Sequence, residues 1–262
     1  MGVLRAKGAA VVARSNNLLS VVIPTYREGG RLLALLESLQ VSRQSAVEII
    51  VVDGEGSDSR MPALSSLCDA LIQSAPGRGL QMNAGAAVAT SPWLLFLHAD
   101  SGNAAHCIAQ LLVQLKNSPD QVWGFFKVQI RPLHLALECV ASFMNLRSRT
   151  TGIATGDQGM WVNRKVFTGC GGFSELRLME DIALSDLLAK QARPLQLTGP
   201  LITDARRWLA RGWLRTMVQM WWLRLRYWAG TPGDVLAARY YPNHSFEAQQ
   251  PGLSPRQHQK VK

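Results

Sequence analysis

The sequence predicts an α/β domain with a mostly parallel central sheet and helices on both faces. Three observations carry that expectation. Short apolar runs recur at residues 20–25, 48–53 and 93–97, each the length of a buried strand. Segments with helical spacing stand between them, and strands alternating with helices make parallel crossover units. Two of the runs close on an acid, EIIVVD at Asp53 and LFLHAD at Asp100. The strand ends of an open α/β sheet are where ligands bind.

The elements follow in order. Residues 20–25 (SVVIPT) form a buried strand closed by Pro24 and a polar turn. Residues 31–39 are leucine-rich with helical spacing. Residues 48–53 are continuously apolar, as in a parallel strand covered on both sides. A short helix at 59–68, a short strand at 70–73 and a Gly/Ala-rich helix at 78–89 come next. The strand at 93–97 leads to a helix at 104–116. The rhythm then changes: a longer strand at 122–130, a helix at 133–147, a Gly-rich stretch at 152–172 and a helix at 179–190. Residues 1–17 read as a loose tail, 18–204 as one domain, 205–248 as an amphipathic Trp/Arg-rich helical extension and 249–262 as a tail of disordered composition.

The 262 residues carry 28 basic and 18 acidic side chains, a net charge of +10 that favours anionic partners. No nucleic-acid-binding motif is present and the basic residues are spread widely, so no nucleic acid partner is expected. Four cysteines without a C-x-x-C read as small buried apolar residues of a reducing compartment, not as a zinc knuckle or disulfide framework. No run approaches the roughly 18 apolar residues of a membrane span. The N-terminal Ala/Val run is too short for a signal peptide. The expectation is a cytoplasmic protein, peripheral at most at the inner membrane face.

Five constellations could carry chemistry. Asp53, in VVDGEGSD, can accept from a ribose or base N–H, or can be a turn residue capping the next helix. PGRGLQMNAG places Arg78, Gln81 and Asn83 at a helix start, where a guanidinium fork and helix N-terminus favour phosphate; the alternative is a turn with an exposed arginine. His98 and Asp100 follow a strand, where Asp100 can hold a hard divalent ion and His98, two residues away, can point to the same side. GDQGMW puts Asp157 and Gln158 between glycines, either a substrate loop or a tight turn. Glu180 and Asp181 open a helix, where acids complement the macrodipole or one of them is a general base. Beyond these, residues 206–228 form a basic, Trp-rich stretch. Trp213, Met217, Met220, Trp221, Tyr227 and Trp228 share one face at helical spacing, Arg224 breaks it, and Gly212 interrupts the run. Such a segment either lies in a membrane interface or docks on its own domain.

Taken in order, VVIPTYRE, VVDGEGSD, a strand ending in Asp100 and the Glu180–Asp181 pair resemble the family-2 glycosyltransferases, which have the GT-A fold. The resemblance spans roughly residues 20–190. GRGLQMNAGA, LFLHAD, GDQGMWV, GCGGF, LMED and ARRW further resemble a bacterial subfamily associated with radical-SAM or selenoprotein-type gene neighbourhoods. The resemblance implies inverting transfer from a nucleotide-sugar donor. It implies that Pro24, Tyr26, Glu28, Asp53, Arg78, Gln81, Asn83 and Asp100 bind the donor, with Asp53 at the nucleoside. Asp100 matches the last acid of the D-x-D metal site, implying Mg²⁺ or Mn²⁺, while His98 replaces the first acid. Asp181 matches the base. Asp157, Gln158 and Glu180 fall in the substrate loops with Arg207 and Trp208, the R-W of processive members. The Gln of the full Q-x-x-R-W is missing, Thr203 or Asp204 standing in its place, which argues against long polymer synthesis and a membrane channel. The Trp-rich segment points to a lipid-linked acceptor or an anionic membrane surface. Two rivals are weaker. A sugar-phosphate nucleotidyltransferase needs a Gly-rich basic loop where Tyr26-Arg27-Glu28 stands. A non-catalytic membrane-surface protein has no need of acids at strand ends.

Overall fold

Burial on both faces organises the sheet. Strands β1 (Leu19–Thr25) and β2 (Val47–Asp53) are buried at every residue. Alternate side chains serve two layers. Leu19, Val21 and Ile23 enter one core with Leu32, Leu36 and Ile108, while Val22, Ile50 and Val52 enter the other with Met82, Leu184 and Leu188. The computed structural model describes residues 17–26, 28, 30–54, 61–118 and 120–240. Residues 1–16, 55–60 and 241–262 lie outside that set, and with them the expected tails and part of VVDGEGSD.

Between β1 and β2 run α1 (Gly30–Ser38) and α2 (Gln40–Arg43). Leu32, Leu35, Leu36 and Leu39 meet the core at helical spacing. Next come α3 (Met61–Ser65), β3 (Ala70–Gln73), α4 (Arg78–Val88), β4 (Trp93–Phe96) and α5 (Ala104–Asn117). Arg43 ties α2 to the start of β3, pairing with Asp69 at 2.9 Å and donating to the carbonyls of Ser66 and Cys68. α4 lies close on β1 and β2 because Gly85 has no side chain; a Cβ there would stand 2.4 Å from Val22 Cγ1.

The second half holds β5 (Trp123–Arg131), α6 (Leu135–Thr151), a 3-10 turn (Gly156–Gln158), β6 (Met160–Asn163), α7 (Arg164–Gly169), α8 (Glu180–Ala189) and β7 (Leu195–Asp204). Helices α9 (Arg206–Arg211), α10 (Trp213–Trp228) and α11 (Gly233–Tyr240) close the described chain. The seven strands run in the order β3-β2-β1-β4-β6-β5-β7, and β6 alone is antiparallel to its neighbours. The α/β class, the mostly parallel sheet and the helices on both faces are as expected.

Three elements escape the sequence reading. The Gly-rich stretch contains β6 and α7, and β7 follows α8 without having been expected. Gly199 and Pro200 interrupt the alternation of β7, whose register to β5 shifts between Phe126 and Lys127. Helix α10 also divides differently. Met217, Met220 and Tyr227 lie on its packed side with buried Leu223, whereas Trp213, Trp221 and Trp228 are exposed. Arg224 belongs to the packed side. Not every cysteine is core: Cys68 and Cys107 are buried, with thiols pushed by burial to about 11 and about 12, but Cys139 is exposed.

Candidate active site

The sheet reverses its winding around β1. From there the chain moves out to β2 and β3, then returns to β4 on the opposite side. Ligands of open α/β sheets lie at the carboxyl ends beside such a switch. Here those ends are Thr25, Asp53 and the His98–Asp100 segment. Asp53 is buried at the end of β2, opposite Thr25. Pro24 is buried within β1, Tyr26 is exposed just beyond it, and Glu28 pairs with Arg31 at 3.2 Å.

Helix α4 locks these strand ends. Gln81 is 2% exposed, and its Nε2 donates to the carbonyls of Thr25 and Val52, both at 2.8 Å. Asn83 closes a two-bond ring with Phe173, donating to its carbonyl at 2.8 Å and accepting from its N–H at 2.9 Å. Both amides expected on the donor are thus engaged with backbone, where they hold the floor and one wall in place. Arg78, at the start of α4, reaches across to Glu180 with Nη2 2.7 Å from Oε1.

Glu180 and Asp181 sit side by side in different surroundings. Met179 before them adopts the left-handed conformation at φ 73°, which costs about 1–2 kcal/mol and is held by packing with Leu178, Ile182 and Leu223. Glu180 is 2% exposed and its Oε2 is buried without a hydrogen-bond partner. Burial raises its pKa, outweighing the opposing pull of Arg78, and Asp181 pushes it the same way. Asp181 is half-buried and accepts two backbone bonds at 2.8 Å, from Gly156 N–H to Oδ2 and from Ile182 N–H to Oδ1.

Gly156 joins this acid to the β4 side. A Cβ there would stand 2.4 Å from His98 Nε2, so the imidazole packs directly on the turn. His98 Nδ1 lies 3.4 Å from Asp157 Oδ1. Gln158, fully buried, holds the turn from beneath: its Oε1 accepts from Ser148 at 2.7 Å and from Thr155 N–H at 3.2 Å. His98, Gly156, Glu180 and Asp181 line one small cavity with Met82 and Phe96. Asp100 stands half-exposed two residues beyond His98.

The structure therefore brings Arg78, His98, Asp157, Glu180 and Asp181 together and sets Asp53 and Asp100 on the same edge of the sheet. It places Trp208 elsewhere, packed with Ile130, Leu137 and Ala205 in an apolar cluster under β5 and α6. Arg207 lies in α9, its side chain outside the described part. Two residues of the site escaped sequence reasoning. Arg147 on α6 and Arg224 on α10 are half-buried, and the charge of Asp181 acts on both. Burial followed by their mutual repulsion pulls Arg147 down to about 10, and burial lowers Arg224 too, while Asp181 and Asp157 oppose that. Arg224 left one trace in the sequence, its break in the apolar face; Arg147 left none.

An open sheet with acids at its switch point, and a later helix adding an acid pair to the same edge, is the build of a GT-A domain. Residues 20–168 match the description "Glycosyl transferase family 2", and the chain belongs to that family. No curated protein matches the chain. Among solved structures it is similar to the mannosyltransferase PcManGT from Pyrobaculum calidifontis in complex with GDP-Man and Mn²⁺, with TM-score 0.59 and 19% identity over 85% of this chain and 69% of that one. It is also similar to S. aureus TarS residues 1–349, with TM-score 0.57 and 13% identity over 72% of this chain, and to the same protein with UDP-GlcNAc at TM-score 0.57 and 17% identity over 71% of this chain. The likeness takes in 61% and 58% of those TarS chains, under two thirds of their length.

Proposed function

We propose that the protein is an inverting glycosyltransferase that moves a sugar from a nucleoside-diphosphate donor to an acceptor hydroxyl. The observation that carries this is Asp181, a carboxylate held by two backbone N–H groups in a cavity shared with His98 and Glu180, the partner of Arg78. Both bonds fix the carboxylate's direction, while each oxygen keeps a lone pair for a substrate proton.

In the transfer step the acceptor oxygen forms a bond to the anomeric carbon as the bond to the diphosphate oxygen breaks. The electron pair of that bond leaves with the nucleoside diphosphate, and the hydroxyl proton passes to Asp181. Asp53 receives the nucleoside at the end of β2. Arg78 faces the diphosphate, and Glu180 anchors its guanidinium from below. Gln81, Asn83 and Gln158 act on the reaction by keeping these walls at fixed separation, because orientation supplies much of the rate.

A divalent ion fits with few protein ligands. Among the described residues no group of three or more His, Cys, Asp or Glu side chains is arranged for a metal, and His98 is directed at Asp157. Mg²⁺ and Mn²⁺ are commonly held by one or two carboxylates plus substrate phosphates, so Asp100 would hold an ion that arrives with the donor. Such an ion would neutralise charge on the leaving diphosphate.

The exposed side of α10 supports a lipid-linked acceptor and a peripheral position at an anionic membrane. Trp213, Trp221, Leu225 and Trp228 are exposed there, Arg226 and Arg239 lie over the Trp222 ring, and no helix among the described residues is long and apolar enough to cross a membrane. The sequence words GRGLQMNAGA, LFLHAD and GDQGMWV, which form walls of this cavity, support the narrower subfamily reading. The test is thermal stabilisation by UDP or GDP with Mn²⁺, repeated in Asp181→Asn. The expected result is an unchanged nucleotide shift with turnover lowered by about 10²–10⁴-fold. Unchanged turnover would reject Asp181 as the base, and no response to either nucleotide would reject the transferase.

A further inference from the structure

The two half-buried arginines have no task in the reaction just described. Arg147 and Arg224 come from different helices, and their Nε atoms are both buried without a hydrogen-bond partner. Arg147 donates from Nη2 to the hydroxyl of Ser148 at 2.8 Å and to the carbonyl of Ile153 at 3.4 Å. Ile153 in turn packs with Ile182 and Leu223, which brings Arg224, next in the chain, to the same wall. Among the described residues neither guanidinium closes an ion pair. Asp181 acts on both and Asp157 on Arg224, yet two like charges in a poorly solvated wall still gain from an anion that bonds both.

They stand on other elements than Arg78 does. The charges acting on Glu180 are those of Arg78, Asp181 and His98, whereas those acting on Arg224 are Asp181 and Asp157. Arg78 thus meets the acid pair at Glu180, 2.7 Å away, whereas the arginine pair acts on it at Asp181. Arg78 stands at α4 with the nucleotide-facing strands; Arg147 and Arg224 stand at α6 and α10, the helix whose outer side is the exposed Trp-rich face. Arginine is the side chain suited to planar, two-bond recognition of phosphate.

We propose that Arg147 and Arg224 form the seat for a phosphate group carried by the acceptor, next to the hydroxyl that Asp181 deprotonates. This rests on the transferase reading above. The phosphate would draw the pair together, complete the hydrogen bonding of both Nε atoms and set the acceptor opposite the donor sugar.

The experiment uses the full chain with saturating UDP or GDP, so that the donor side is filled, and follows Tm while inorganic phosphate is titrated. Phosphate is expected to raise Tm further. Arg224→Gln is expected to raise the half-saturating phosphate concentration by about tenfold or more, the loss of one or two charge-assisted bonds, with the nucleotide's own half-saturation changed by less than about twofold. Arg147→Gln repeats the measurement should Arg224→Gln fail to fold. A second arm replaces inorganic phosphate by dihexanoyl phosphatidic acid below its micelle concentration. Tighter binding of the lipid by about tenfold or more assigns the phosphate to a lipid acceptor, and equal binding assigns it to a soluble one; both support the seat. No phosphate response with nucleotide bound overturns the proposal alone. Equal weakening of phosphate and nucleotide overturns it in favour of the donor's diphosphate. No nucleotide response overturns it together with the transferase reading.

Discussion

The two sides of the cleft are built by different means. The side proposed for the nucleotide grows out of parallel strands: Thr25 and Asp53 are register partners, and a single amide, Gln81, bridges the ends of β1 and β2. The opposite side comes from a turn and three helices distant in sequence, with Gly156, Asp181, Arg147 and Arg224 brought together by packing. The first side is stiff because backbone ladders define it. The second depends on side-chain contacts between helices. The proposed transfer calls for this asymmetry: one half would grip a constant group and the other would admit the acceptor.

Gln81→Ala is the strongest test of the stiff side. It removes two buried hydrogen bonds and leaves two strand-end carbonyls without that donor, so a loss of about 2–4 kcal/mol is expected in urea unfolding, together with a weakened nucleotide shift. Wild-type stability and nucleotide response in this variant would break the contrast between the two sides. Gly85→Ala probes the same side more gently. The new methyl meets Val22 and Val52, pushing α4 off the sheet at about 1–3 kcal/mol, and the unfolding midpoint reads it.

Glu180→Gln sharpens the boundary between the sides. Burial raises the folded pKa of Glu180 above its ordinary value of 4.5. Between those two values the folded state holds a proton that the unfolded state has released, so stability is fully present below 4.5 and falls as pH rises toward the folded value. The glutamine variant should lack that decline in a Tm-against-pH series; a parallel decline in both proteins would remove Glu180 as its source. The smallest stability effect belongs to the outer face. Trp228→Ser should change unfolding free energy by no more than about 0.5 kcal/mol, yet lower binding to phosphatidylserine vesicles at low salt by about tenfold. Undiminished vesicle binding would separate the helix from the membrane.

Legibility followed the same division. Residues 20–116 could be read almost element by element, because each buried strand is a continuous apolar run and α1 and α5 repeat their leucines at helical spacing. Asp53, Asp100 and Arg78 were visible since they directly follow or begin such elements. Gln81 and Asn83 were visible as polar residues in a glycine-rich motif, but their bonds to Thr25, Val52 and Phe173 were not, as a motif carries no direction for an amide. Strands β6 and β7 were missed, one four residues long between glycines and the other interrupted by Gly199-Pro200. Trp208 carried a family word yet packs into an apolar cluster, since a two-residue match says nothing of burial.

By itself the chain's order of apolar runs and strand-end acids determined the α/β class and the sheet edge at which the acids gather, because period and punctuation are local properties. The tertiary structure alone decided how those acids differ and what stands beside them. Desolvation of Glu180, the two N–H bonds to Asp181 and the meeting of Arg147 with Arg224 arise only when residues far apart in sequence exclude water from one another.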